Sequence, residues 1–259
     1  MISDAVLSSM LSRIEANDLQ SAEHPIFAQL RNRMKPQMSV NEEGIAILPI
    51  QGLLARKPDV FELFDGVEDS LALTEMISQA SANPAVKAAL FDIDSPGGFL
   101  QGGIELAEAV KNFGKPTVSF VGGDGASLAF WVASQADMVI STISASVGSI
   151  GAYTSHIDQT QRLASLGIKI EVIKNREADL KAAGLYGTAI SDVQREHIQE
   201  RVQEGFAQFR AAVKSSRPQI KDSAMRGQTF SGKAAKDAGL VDAIGSMGFA
   251  LSLLRRRMR

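Results

Sequence analysis

Between residues 44 and 174 short apolar runs alternate with amphipathic segments, and few architectures satisfy that rhythm. The runs "GIAILPI" (44–50), "VKAALFDID" (86–94), "PTVSFVG" (116–122), "DMVIS" (137–141) and "IKIEVIK" (168–174) have the length and composition of buried strands. Between them "LALTEMISQASAN" (71–83), "GGIELAEAVKNFG" (102–114), "SLAFWVASQA" (127–136) and "DQTQRLASLG" (158–167) read as helices, the second ended by Gly114 and Pro116. Further helices are predicted near 191–214, 231–238 and 245–256. Strands alternating with helices imply repeated βαβ units, an α/β fold with mostly parallel pairing.

The first 43 residues stand apart. Val6, Leu7, Met10, Leu11 and Ile14 recur at helical spacing, which predicts an amphipathic helix over 3–16 followed by an irregular connector. The expected organisation is therefore 1–43 as helix and connector and 44–259 as the main domain. No apolar run reaches the ~20 residues that span a bilayer, and the N-terminus lacks the basic start and apolar stretch of a signal peptide. The expectation is a cytoplasmic protein without a membrane span. A formal net charge of −2 gives no global attraction to nucleic acid, and the terminal "RRRMR" reads as a solvated tail. The chain has no cysteine, which removes disulfides, thiolate metal sites and a cysteine nucleophile. His24, His156 and His197 have no metal-ligand spacing, so no metal site is expected.

Four local features can carry chemistry, and each also has a plainer reading. In "FDIDSPGG" (91–98) a buried strand runs into two glycines that let a backbone approach a ligand, or that only make a tight turn. In "GGDGASLAFWVASQAD" (122–137) Ser127 opens a helix, as a nucleophile or as an N-cap. Ser149 lies between glycines in "ASVGSIGAY" (145–153) and is a turn residue or a hydrogen-bonding group of a site. A serine nucleophile needs a base, and His156, Lys174 and Lys181 are the candidates. A lysine serves as base only where burial or neighbouring positive charge lowers its pKa well below ~10.4.

Six elements in order extend the reading: "ILPIQGLL", "NPAVKAALFDIDSPGG", "GASLAFWVASQADMVI", "ASVGSIGAYTSHID", "LKAAGLYGTAISDVQREHIQERVQEGFAQF" and "FSGKAAKDAGLVDAIGS". Over roughly 44–250 the chain resembles the signal peptide peptidase A family of serine peptidases, in particular its phage branch, the capsid-assembly (prohead) proteases. The resemblance implies a ClpP/crotonase-like fold of stacked βαβ units with additional helices, and a serine–lysine dyad with no cofactor. On that basis Ser127 is the nucleophile and Lys181 the base. Ser149 would hydrogen-bond the lysine amine, and the Gly97–Gly98 loop, through Gly98, with the backbone N–H of Leu128 would form the oxyanion hole. His156 is then structural or pocket-lining.

The family also implies a polypeptide substrate, with scaffold protein of a phage head as the expectation, and a homo-oligomer with active sites near subunit interfaces. Without an anchor the chain fits the phage or prophage enzyme, acting in the host cytoplasm or inside the procapsid. The alternatives are a soluble bacterial peptidase of the same family, a crotonase-type acyl-CoA enzyme and a non-catalytic capsid component. One departure stands out. Relatives often carry Ser-Gly-Gly-Tyr or Ser-Ala-Ala-Tyr where this chain has Ser-Leu-Ala-Phe, so Leu128 is expected to shape the pocket wall and set specificity.

Overall fold

Four of the five apolar runs become the middle of one sheet. The computed structural model describes residues 34–258; the helix expected over 3–16 lies outside them. Its strands are β1 (Ser39–Val40), β2 (Ile45–Ala55), β3 (Val67–Asp69), β4 (Ala88–Gly98), β5 (Thr117–Ala126), β6 (Met138–Ser141), β7 (Ser146–Gly148), β8 (Thr229–Ser231) and β9 (Ala243–Ile244). They pair in the order β1-β2-β4-β5-β6-β9, with β3 on β2 and β7 bridging β5 and β8. The helices are α1 (Val60–Phe64), α2 (Ser70–Ala82), α3 (Gly103–Lys111), α4 (Leu128–Ser134), α5 (Thr160–Ser165), α6 (Asp192–Ser216), α7 (Gly232–Asp237) and α8 (Met247–Arg257).

The pairings from β2 through β4, β5 and β6 to β9 are all parallel. Parallel neighbours cannot be joined by a tight turn, and α2, α3 and α4 supply the crossovers. Alternate strand residues point to opposite faces. Ala46, Leu48, Ile50, Ala89, Phe91 and Ile93 enter a large core shared with helices that include α2, α3, α4 and α6. Ile45, Ala88, Leu90, Val118, Phe120 and Ile140 face the other way, against Ala250 and Leu254 of α8. Both faces are covered, which is why these strands read as unbroken apolar runs. The result is an α/β stack of βαβ units with additional helices packed on it.

The fifth run behaves differently. Residues 168–175 form no strand, and Ile168, Ile170, Val172 and Ile173 are exposed. The alternation is real, but a strand exists only where a second strand accepts its hydrogen bonds, and none among the described residues does so. This stretch belongs to an arm over residues 152–190, whose short helix α5 buries no residue.

Two devices hold α4 in place. Trp131 stacks on Phe209 of α6 with ring centroids 4.9 Å apart and planes within 8°. Arg217, buried just past α6, donates to Ser134 O and Ala136 O at the end of α4 and pairs with Asp242 at 2.5 Å. Asp242 also accepts the Val139 N–H of β6 at 2.7 Å.

Candidate active site

Ser127 sits where β5 turns into α4, with φ +51° and ψ −126°. Such a backbone costs a non-glycine residue on the order of 1–3 kcal/mol and persists only where its surroundings enforce it. Here the Ser127 N–H donates to Gly148 O at 2.8 Å, and its carbonyl accepts the Trp131 N–H at 3.0 Å. The side chain makes no capping hydrogen bond to the helix. That decides against the N-cap reading and leaves the hydroxyl uncommitted on the wall of a cleft.

The glycines of "SPGG" face this serine. Gly97 has φ +110°, and a Cβ added there would lie 2.7 Å from Ser127 Cβ and 3.0 Å from Leu128 N. No larger residue can bring the backbone so near. Gly98 is as restricted on its other side, where a Cβ would overlap Leu54 O. The amides of this loop divide their work. Gly97 N–H donates to Ser95 Oγ at 3.2 Å, and Phe99 N–H donates to Leu54 O at 2.9 Å across to β2. Successive amides of an extended chain point to opposite edges, so Gly98 N–H points away from β2. Gly97 therefore contributes space beside Ser127, and the Gly98 amide is directed away from β2.

Leu128 does not do what the sequence suggested. Its backbone N–H stands beside Gly97, but its side chain is only 2% exposed and packs toward Gly103 of α3. The helix turns Cβ away from the cleft, so the bulky side chain fills core and does not line this cleft.

Ser149 follows β7 as Ser127 follows β5, and the two strands pair in parallel with Ala126 opposite Gly148. Ser149 also has a positive φ, +53°, and its N–H donates to Gln228 O at 2.8 Å. Both serines line one cleft of about 980 Å³, with Leu53, Pro96, Gly98 and Phe99 on one side and Gln199, Val202, Gln203 and Phe206 of α6 on another. Arg226 is the one charged side chain among the described residues that line it.

The candidate bases lie elsewhere. Lys181 is exposed on the arm and lines no part of this cleft. Its N–H donates to Ala178 O at 3.0 Å, and its carbonyl accepts Gln194 Nε2 at 3.1 Å. Lys174 is a brace, its ammonium donating to Asp179 O at 3.0 Å. His156 ties the two ends of the arm together, Nε2 donating to Thr188 O at 2.8 Å, and it too lies outside the cleft. The structure thus brings together Ser127, Ser149, Gly97, Gly98 and the Leu128 amide, and leaves Lys181 apart from them.

Two supporting residues escaped the sequence reading. Ser95, fully buried, accepts from Gly97 and donates to Gly52 O at 2.6 Å. Gln194 forms a capping box with Ser191 at the start of α6, and its amide also holds the carbonyls of Asp179 and Lys181. The pattern "SDVQ" is a capping-box signature and was legible. Nothing local in "DSPGG" distinguishes a structural serine.

With this geometry in view, comparison with known proteins is informative. The family model described as Peptidase family S49 matches residues 109–258, a stretch that contains Ser127, Ser149 and Lys181. The chain belongs to peptidase family S49. This S49 chain is 27% identical over 215 residues to the head-tail preconnector protein GP5 of Enterobacteria phage P21, covering 82% of this chain and 42% of that protein. It is likewise 27% identical over 217 residues to capsid assembly protease C of Escherichia phage lambda, covering 82% of this chain and 49% of that one. The chain thus spans less than half the length of these curated relatives. Among solved structures it is similar to an enoyl-CoA hydratase/isomerase family member, with 17% identity, a TM-score of 0.47, and coverage of 86% of this chain and 76% of that one. The family match and these two phage relatives sustain the resemblance to the signal peptide peptidase A family and its phage branch. Among the described residues, no helix of this S49 protein is long and apolar enough to cross a membrane.

Proposed function

We propose that this chain is a serine endopeptidase in which Ser127 attacks the scissile carbonyl and Lys181 acts as its base. The observation that carries the reading is Ser127 itself, strained, uncapped and facing a glycine loop whose Cβ-less surface abuts the Leu128 amide. Ser127 Oγ loses its proton to neutral Lys181 as it adds to the carbonyl carbon. The Gly98 and Leu128 amides stabilise the oxyanion, each worth about 3 kcal/mol. The lysine then protonates the leaving amine, and water hydrolyses the acyl-enzyme. Ser149 lines the same cleft and in this reading hydrogen-bonds and orients the incoming lysine amine.

Lys181 reaches Ser127 from another copy of the chain. The exposed arm supports this, for it carries the lysine together with Tyr153 at 91% and Ile173 at 93% exposure. So much apolar surface outside the core is what an interface between subunits covers. The cleft also favours a peptidase over a crotonase-type enzyme, since no carboxylate lines it among the described residues. In this reading the substrate is scaffold protein of a phage head and the setting is head maturation, in the host cytoplasm or the procapsid; similarity to a capsid assembly protease supports an assembly role. A bacterial peptidase acting on other polypeptides is the second reading.

The test is complementation. Ser127→Ala and Lys181→Ala chains should each be inactive on casein or scaffold, and mixing them should restore part of the activity. A fluorophosphonate should label Ser127 in the wild-type protein. Absence of labelling together with binding of coenzyme A would falsify the peptidase reading, and a mixture that stays inactive would reject the shared site.

A further inference from the structure

The strands that meet at the active site are irregular at one point. β2 and β4 keep a parallel register up to Gln51 opposite Asp94, and the register then shifts before Leu53 pairs with Gly97. β4 and β5 shift between Ile93 and Ser95, where Ser95 comes opposite Gly125. Both breaks fall at Ser95. A broken ladder leaves buried amides and carbonyls without partners, which is costly for each. Ser95 Oγ repairs this break from within, donating to Gly52 O at 2.6 Å and accepting Gly97 N–H at 3.2 Å. The intervening Pro96 has no N–H to offer.

We propose that Ser95 is a positioning residue for the oxyanion loop, its hydroxyl bridging β2 and β4 so that Gly97 is held against Ser127 and the Gly98 amide is aimed at the reacting carbonyl. The inference rests on the peptidase reading above. Ser95 touches no substrate; it is fully buried, and it acts through the backbone that follows it. The hydroxyl is suited to the task because it donates and accepts at once. It replaces the missing ladder bond without drawing Gly97 back onto β2. Fixing Gly97 at φ +110° fixes the direction of the next amide. An amide that must already point at the developing oxyanion needs this kind of support, because reorganisation during the reaction forfeits the stabilisation.

The experiment uses the full chain with Ser95→Ala and the near-isosteric Ser95→Cys, whose thiol is a weaker donor and acceptor. Three quantities are read: the rate of Ser127 acylation by a fluorophosphonate, kcat and KM on a peptide, and thermal unfolding followed by fluorescence of Trp131, the one tryptophan of the chain. Acylation and kcat should fall by about 10- to 100-fold in Ser95→Ala, less than the 100- to 1,000-fold loss of deleting a donor outright, while KM stays within about twofold. Ser95→Cys should fall between Ser95→Ala and wild type. Affinity for a peptidyl boronate, which mimics the tetrahedral state, should weaken in step with kcat. A folded Ser95→Ala protein that acylates at the wild-type rate overturns the inference, as does one that raises KM alone or fails to fold. Wild-type protein that takes no label on Ser127 overturns the peptidase reading and this inference together. Normal labelling of both wild type and Ser95→Ala overturns the inference alone.

Discussion

The body around Ser127 and the arm that carries Lys181 are built on opposite principles. In the body the central strands β2, β4, β5 and β6 are covered on both faces and α4 is buried along its whole length. Its backbone is driven into positive φ at Ser127 and Ser149 because packing on all sides outweighs the local cost. The arm has a one-and-a-half-turn helix with nothing buried, a stretch of alternating residues with no strand to pair with, and braces made by single side chains such as His156 and Lys174. The difference teaches that half of the proposed machinery is preorganised within one chain. The other half is presented outward, where a second chain can order it.

The comparison is broken first by activity. Ser127→Ala and Lys181→Ala should each lower the turnover of a peptide by about 10⁴-fold or more, as for loss of a nucleophile or its base. Yet Lys181→Ala should shift unfolding free energy by less than about 0.5 kcal/mol, because its side chain is exposed. A Lys181→Ala protein with undiminished turnover would remove Lys181 from the mechanism.

The body should then prove intolerant of internal loss. Arg217→Ala leaves Asp242 and the carbonyls ending α4 without their cation, and chemical denaturation should register about 3–5 kcal/mol. Leu128→Ala should cost about 3 kcal/mol as a core cavity while leaving the cleavage preference unchanged. Altered preference on a peptide library, with stability intact, would return Leu128 to the pocket.

A pH-dependent effect of similar size is expected at the edge of the body. Glu68 of β3 accepts the Gln51 N–H at 3.4 Å, and burial raises its pKa from 4.5 to about 7 despite that bond. The folded chain therefore prefers the neutral acid. Stability is full below about pH 4.5 and falls as pH rises toward about 7. Glu68→Gln should match wild type near pH 4 and exceed it by up to about 3 kcal/mol at pH 8. An equal advantage at both pH values would show that the carboxyl is not the titrating group.

The smallest effect on the single chain belongs to the arm. Ile173→Ser should change its unfolding free energy by no more than about 0.5 kcal/mol. The same substitution should weaken self-association in sedimentation if a second copy covers this surface. Unchanged association would confine the interface to other residues.

Much of this was legible in advance, and the particulars say why. The runs at 44–50, 86–94, 116–122 and 137–141 announced buried strands because a strand covered on both faces tolerates few polar residues. "IKIEVIK" announced a strand just as clearly and formed none, since pairing is a property of two segments and the pattern reports one. Leu128 was misplaced for a related reason. Its position after Ser127 said that its amide would lie at the site, while the direction of its side chain depended on how α4 docks on α3.

What the sequence by itself determined was the order of the four central strands and of the helices between them, the positions of the glycines, and the candidate nucleophile and base. Each depends on local spacing, backbone freedom or family motif, all of which are written along the chain. Only the tertiary structure decided that Ser127 leaves its helix uncapped, that Gly97 spends its amide on Ser95, and that Lys181 stands outside the cleft of its own chain. These are relations between segments far apart in sequence, fixed by close packing in three dimensions and by which hydrogen bonds that packing leaves open.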